Sequence, residues 1–366
     1  MAESRDISPG APPRAVSSAA SLLSERDRAI LKDVIVTYIL RAEPVSSRAI
    51  AKHSQHGLSA ASIRNVMADL EEHGYLSQPH TSAGRVPTPK AYHLYIGSMM
   101  DGAEVASAER QIIDEALSDT RDADELVASA SSLLSDLSHH VGIALTPALD
   151  QTKLRTISFV PLTDTKVLCV VVSDAGFVDN KVIQTRERVS RRELVRISNY
   201  VNEHFSGRTL QQIRERLLTL LDEERARMDQ MLGLTIRLAS AGLAMGDLPT
   251  LLLDGTTEVL RQPELADLER VRRLLETFAD KAQLVYILTE LMRGKGVRVL
   301  IGEDSDLTSE LDFSLVAAPY GVGDTTLGTL GIFGPSRMQY QRTIPLVHYL
   351  GERLSDALAN TFEVEA

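Results

Sequence analysis

Two neighbouring segments open with the same local grammar. Val45-Ser46 and Leu58-Ser59 each place an apolar residue before a capping serine, and each is answered four helical positions on, by Ile50 and Ile63. A serine accepting from the first-turn amides, closed by an apolar staple across it, starts a helix at a defined residue. The first segment runs only to about Gln55, and His56-Gly57 separates it from the second. Two short helices joined by a tight glycine-containing turn are a helix-turn-helix in outline.

In the second helix Ile63, Val66, Met67 and Leu70 fall on one face, the spacing of a helix packed on a core. Ala61, Arg64, Asn65 and Ala68 fall on the other. A helix that enters a DNA groove needs small residues for close approach and a few long hydrogen-bonding ones. Arginine can bond guanine with two donors, asparagine can do the same with adenine, and alanine can meet a thymine methyl. A solvated face that carries Arg and Asn for no such purpose has the same pattern.

The flanks extend the unit. Ser24-Glu25-Arg26-Asp27 is a capping sequence ahead of apolar residues at Ile30, Leu31, Val34, Ile35, Tyr38 and Ile39, and Pro44 ends that helix. After Gly74, Tyr75 to Gln78 reads as a short strand. The loop Pro79 to Pro87 then offers His80, Thr81, Ser82, Gly84 and Arg85, which suits a wing touching phosphates as well as it suits an ordinary hairpin. Thr88-Pro89 starts a further helix to about Met100.

Charge agrees with this division. The chain of 366 residues carries a net charge of −11, which by itself argues against a polyanionic partner. Residues 1–103, however, hold 11 basic and 10 acidic side chains, and the rest hold 28 and 40. A near-neutral unit on an acidic body is the asymmetry expected when only one part touches DNA. The length calls for two or three domains. Residues 1–23, rich in Ala, Ser and Pro, read as a loose tail without the apolar run of a signal peptide, and no stretch is long enough to cross a membrane, so a cytoplasmic protein is expected.

These residues resemble the HrcA family of heat-inducible transcription repressors. The resemblance lies in Glu43-Pro44-Val45, Ser47-Arg48, Leu58-Ser59, Ser62-Ile63-Arg64-Asn65, Met67 to Glu71, Gly74-Tyr75-Leu76 and, most specifically, Gln78 to Thr88. It continues in Leu253-Asp254-Gly255-Thr256, Gln262-Pro263-Glu264, Leu300 to Glu303, Tyr320-Gly321 and Gly334 to Met338. Ser46 and Ala91 stand where the family usually has glycine. The resemblance implies a dimer that binds an inverted-repeat operator in double-stranded DNA ahead of groE- and dnaK-type chaperone operons, prevents their transcription, and is kept active by a GroEL-type chaperonin. On that basis the candidate DNA contacts are Ser47, Arg48, Ser59, Ala61, Ser62, Arg64, Asn65, His80, Thr81, Ser82 and Arg85.

Past Glu104 the text is helical to about Val141, strand-like at Leu154 to Leu162, Val167 to Val172 and Val178 to Gln184, and helical again from the capping box Ser190 to Glu193. Strands return at Val297 to Ile301, Asp312 to Ala318 and Thr326 to Phe333, before a final helix from about Met338. Composition allows either one interrupted α/β domain or two in succession. The resemblance implies an α+β multidomain chain: a winged helix-turn-helix over 24–103, a GAF-like domain in two parts, 104–190 and 281–366, and a mainly helical dimerisation insert over 191–280.

No catalytic constellation can be assembled, so no enzyme, cofactor or metal is expected. Cys169 lies in an apolar run and reads as a core residue, and Glu303, Asp304 and Asp306 as loop acids rather than metal ligands. The alternative reading is a winged-helix regulator whose GAF-like body answers to a small ligand.

Overall fold

The computed structural model describes residues 23–53, 57–80, 83–98, 104–118, 122–147, 152–185, 188–213, 215–217, 235, 238–241, 249–259, 268–279, 281–309, 312–323 and 325–363. The N-terminal unit begins with α1 (Glu25–Arg41), started by a complete Ser24/Asp27 capping box and ended by Ala42 in the left-handed region, φ 56°. Helices α2 (Ser47–His53) and α3 (Ala60–Glu72) follow. Strands β1 (Leu76–Ser77) and β2 (Val86–Pro87) pair antiparallel as a short hairpin, and α4 (Pro89–Ser98) closes the unit. Ile30, Leu31, Ile35, Ile50, Ile63 and Leu70 are all buried in its core.

The helical text after Glu104 forms two helices, α5 (Ser107–Ser118) and α6 (Ala123–Ser138), the second capped by Asp122, whose Oδ1 accepts from Glu125 N at 3.0 Å. The chain then enters β3 (Val141–Leu145). Next come β4 (Leu154–Pro161), β5 (Lys166–Ser173), β6 (Val178–Gln184) and α7 (Arg191–Phe205). The remaining elements are β7 (Leu251–Asp254), α8 (Thr256–Val259), α9 (Leu268–Ala279), α10 (Lys281–Met292), β8 (Arg298–Ile301), α11 (Asp306–Ser309), β9 (Phe313–Val322), β10 (Thr325–Pro335) and α12 (Tyr340–Glu363).

Five strands make one antiparallel sheet in the order β7-β3-β10-β9-β8. Its side chains alternate between two covered faces, as a pleated strand requires. Val141, Ile143 and Leu145 of β3, with Phe313, Leu315 and Ala317 of β9, meet Leu274 and Phe278 of α9 and Leu284, Leu288 and Leu291 of α10. Ala144, Val316, Ala318 and Tyr320 turn the other way, into a cluster with Leu126 and Leu134 of α6 and Leu346, Leu350 and Leu354 of α12. That cluster runs on without a break into the core of the N-terminal unit.

Strands β4, β5 and β6 form a separate three-stranded sheet with β5 in the centre. One face packs on α7: Ile157, Phe159, Val171 and Cys169 share a cluster with Leu194, Ile197, Val201 and Phe205. The β4 edge is closed by α7 side chains. Asn202 accepts from Ile157 N at 2.7 Å and donates to Ile157 O at 3.0 Å, and Ser198 Oγ accepts from Phe159 N at 3.1 Å. An edge satisfied in this way offers no template for another strand.

The architecture is therefore mixed helix and sheet, with one sheet interrupted between β3 and β7. The interruption begins and ends earlier than a division at residues 191 and 280 supposes. β4–β6 share a core with α7 rather than with β3, and α9 packs on the large sheet through Leu274 and Phe278. The short apolar stretch Leu251–Asp254, set between Pro249 and Gly255, pairs with β3 over Gly142–Leu145. Burial holds Cys169 inside the small sheet and pushes its thiol up to about 12.

Candidate nucleic-acid interface

The N-terminal unit presents α3 by burying its opposite side. Ser59 caps the helix by accepting from Ser62 N at 3.1 Å, and the two hydroxyls lie 3.0 Å apart. Ile63, Val66, Met67 and Leu70 are buried, while Ala61, Arg64, Asn65 and Ala68 are exposed. Arg64 and Asn65 thus stand side by side on the free face, with alanines on either flank. Arg48 is exposed on α2, whereas Ser47 is only 9% exposed; its exposed neighbour Ser46 is the residue that caps α2, accepting from Ala49 N at 3.2 Å.

The hairpin loop is tied at its base. Gln78 Nε2 donates to Ala83 O at 3.0 Å and Ala83 N to His80 O at 2.8 Å, leaving His80 exposed. Thr81 and Ser82 lie outside the described residues. Arg85 turns to a carboxylate of its own unit. Its Nε and Nη2 donate to Glu71 Oε2 on the last turn of α3, at 2.8 and 2.7 Å, and its backbone exchanges two hydrogen bonds with Val45, of 2.9 and 2.8 Å. A carboxylate brought within reach by the fold has claimed the guanidinium. Glu71 was visible in the sequence only as an acid at a helix end, with nothing there to pair it with Arg85.

The unit is seated on the body through α4. His93 Nε2 lies 2.8 Å from Asp304 Oδ2, and Arg337 Nη1 donates to Ile39 O at 3.4 Å. The rings of Tyr92 and Tyr340 pack with centroids 5.7 Å apart. Burial, reinforced by Tyr340, Tyr38 and Asp312 and opposed by Arg337, pushes the Tyr92 phenol well up, so it stays neutral there. Beside this contact a cleft of about 330 Å³ opens between Val36, Ile39 and Tyr95 on one side and Glu109, Tyr340 and Arg342 on the other. Glu109 and Arg342 are ion-paired along the second of these sides. Asp304 also accepts from Ile301 N at 2.8 Å, and no group of three or more His, Cys, Asp or Glu side chains among the described residues is placed to hold a metal. No helix among them is long and apolar enough to cross a membrane.

Comparison with known proteins bears on the whole arrangement. Residues 124–344, from α6 into α12, match the family model described as the HrcA protein C terminal domain. Over 337 residues, 92% of this chain and 98% of the relative, the sequence is 41% identical to the heat-inducible transcription repressor HrcA of Geobacter sulfurreducens. The chain belongs to the HrcA family. The HrcA protein of Xanthomonas campestris pv. campestris is 39% identical over 342 residues, 93% of this chain and 98% of its own length. HrcA likeness therefore extends beyond the C-terminal domain into the N-terminal unit. A crystal structure of a hypothetical protein, 26% identical, superposes with a TM-score of 0.60 over 93% of this chain and 99% of its own.

Proposed function

We propose that this chain is a repressor of heat-shock chaperone operons that reads an inverted-repeat operator as a dimer, with α3 in the major groove and the β1–β2 hairpin as the wing of a winged helix-turn-helix. The observation that carries the reading is the division of α3: four buried apolar residues on one side, and Arg64 and Asn65 framed by Ala61 and Ala68 on the other. Those are the side chains suited to read guanine and adenine edges and to let the helix approach. Its relatives' name, heat-inducible transcription repressor, supplies the sense of the control.

An inverted repeat calls for two reading units related by a two-fold axis. The segment inserted between β3 and β7, about 148–248, is the proposed dimerisation module, and the interrupted five-stranded sheet with helices on both faces is the proposed GAF-like domain. The free face of the small sheet supports this. In register across it stand Val160, Leu168 and Val182, then Val172 beside Val178, with Val160, Val178 and Val182 about half exposed. Leu168, Val170 and Val172 run unbroken along β5, while Ser158 and Asn180 separate the outer valines, and an exposed aliphatic stripe of this kind suits an interaction surface.

Control is proposed to run through folding: heat removes active repressor and a GroEL-type chaperonin restores it. Strands β3 and β7 pair across more than a hundred residues, and such non-local pairing forms slowly. Metabolite control is the second reading, and its support is the cleft beside α4. The deciding experiment is a footprint of the purified protein on chaperone-operon promoters, before heating, after heating, and after recovery with and without chaperonin. Symmetric protection that returns faster with chaperonin supports the reading. No sequence-specific protection by freshly purified protein overturns it, and a melting-temperature shift with a metabolite favours the second.

A further inference from the structure

Two helices and the hairpin meet at a single residue. The backbone of Arg85 is bonded to Val45, immediately before the cap of α2, and its guanidinium is bonded to Glu71 at the end of α3. Directly before it, Gly84 passes so close to the chain that a Cβ there would lie 2.5 Å from Val45 O and 2.7 Å from Pro44 O. The entry of one helix, the exit of the other and the strand leaving the loop are thereby joined within one turn of chain. Both partners of the ion pair are shielded in part, with side-chain exposures of 22% for Arg85 and 34% for Glu71. Water and salt screen such a pair less than one at the open surface.

We propose that Arg85 and Glu71 are positioning residues for DNA recognition, holding the wing at a set angle to α3, and that Arg85 does not itself neutralise a phosphate. The inference rests on α3 and the hairpin being the DNA-reading surface. Its consequence is an inversion of what charge alone dictates. Removing a carboxylate close to the DNA weakens binding, because the wing loses its anchor, where simple electrostatics has it strengthen binding.

Glu71→Gln, Arg85→Lys and the double variant Glu71→Gln/Arg85→Lys test this on the full-length protein, with operator DNA and random DNA titrated across a salt series. Lysine keeps the charge of Arg85 but not its planar, two-donor grip. Each single variant is expected to lose about three- to tenfold in operator affinity, with the double variant no worse than either single. In a further variant that removes the cation, Arg85→Gln, the slope of log affinity against log salt stays that of the wild type, whereas loss of a phosphate contact lowers it by about one unit. Retained binding to random DNA by the Gln variant shows that the unit is folded. Tighter operator binding by Glu71→Gln, or unchanged affinity in Arg85→Lys, overturns the positioning role. Failure of the wild type to prefer operator over random DNA overturns instead the reading of the surface as a DNA reader.

Discussion

His93 Nε2 and Asp304 Oδ2, 2.8 Å apart, join the helix that closes the N-terminal unit to the turn that follows β8 in the body. Burial pushes the Asp304 carboxyl up, but the His93 ring, the Ile301 amide and the charge of His93 outweigh it and hold the group below its ordinary 3.8. A carboxylate lowered in the folded state stabilises it above the unfolded value and loses that contribution as pH falls through the folded one. Asp304→Asn is therefore expected to lower the melting temperature near pH 5, where the carboxylate is ionised, with the gap closing as pH falls below about 4. The loss is at most about 1 kcal/mol, because both side chains are partly solvated. Thermal melts across a pH series read it; a gap that persists well below that pH would show that the carboxylate charge is not what stabilises the contact.

Arg64→Ala and Asn65→Ala are each expected to weaken operator binding by ~1 to 3 kcal/mol while changing binding to random DNA less. Both side chains stand on the exposed face of α3, so neither substitution should cost more than about 0.5 kcal/mol of stability. Equal losses on the two DNAs in a filter-binding assay would speak against base reading by this face.

Gly84→Ala should be far more damaging than its size suggests. The added methyl meets backbone oxygens of Pro44 and Val45 rather than a side chain that can swing away. The expected cost is ~1 to 3 kcal/mol of stability, from overpacking alone. It should appear in denaturant unfolding, together with loss of operator binding. Gly97, which has nothing within 4 Å of where a Cβ would sit, is the matched control: Gly97→Ala should be close to neutral.

The insert should be separable from the body. Thr146 N donates to Thr250 O at 2.9 Å and Thr250 N to Thr146 Oγ1 at 2.8 Å, so the two ends of the insert leave and rejoin the sheet side by side. Joining 147 to 249 with a short turn is expected to leave a folded, monomeric protein with weaker operator binding. Light scattering and circular dichroism read the two properties. Val182→Asp, on the free face of the small sheet, should weaken the dimer without unfolding it, and an unchanged dimer in both variants would place the contact elsewhere.

Much of the N-terminal unit was legible because helix starts are written in bonds three residues long. Ser24 with Asp27 and Ser59 with Ser62, and beyond this unit Ser190 with Glu193, are each paired in the structure as their spacing implies. The buried face of α3 was equally plain, since a period near 3.6 needs no knowledge of what lies opposite. The candidate contacts were less so. Arg64 and Asn65 are on the free face, but Ser47 is buried and Arg85 is bound to Glu71, fourteen residues away along the chain.

By itself, then, the sequence determined where the capped helices begin, which side of α3 is apolar, most of the segments that run as strands though not β3 or β7, and the family to which the chain belongs. Only the tertiary structure decided partners. It set β7 beside β3 although the two are more than a hundred residues apart, gathered β4–β6 with α7 into their own core, returned α9 to the large sheet, and brought Glu71 to Arg85. The reason is physical: the period of apolar residues tells that a face is buried, whereas the surface it is buried against depends on every other face competing for it. A charged side chain likewise carries its chemistry in the sequence, but the group that satisfies it is whichever one the fold places within three ångströms or so.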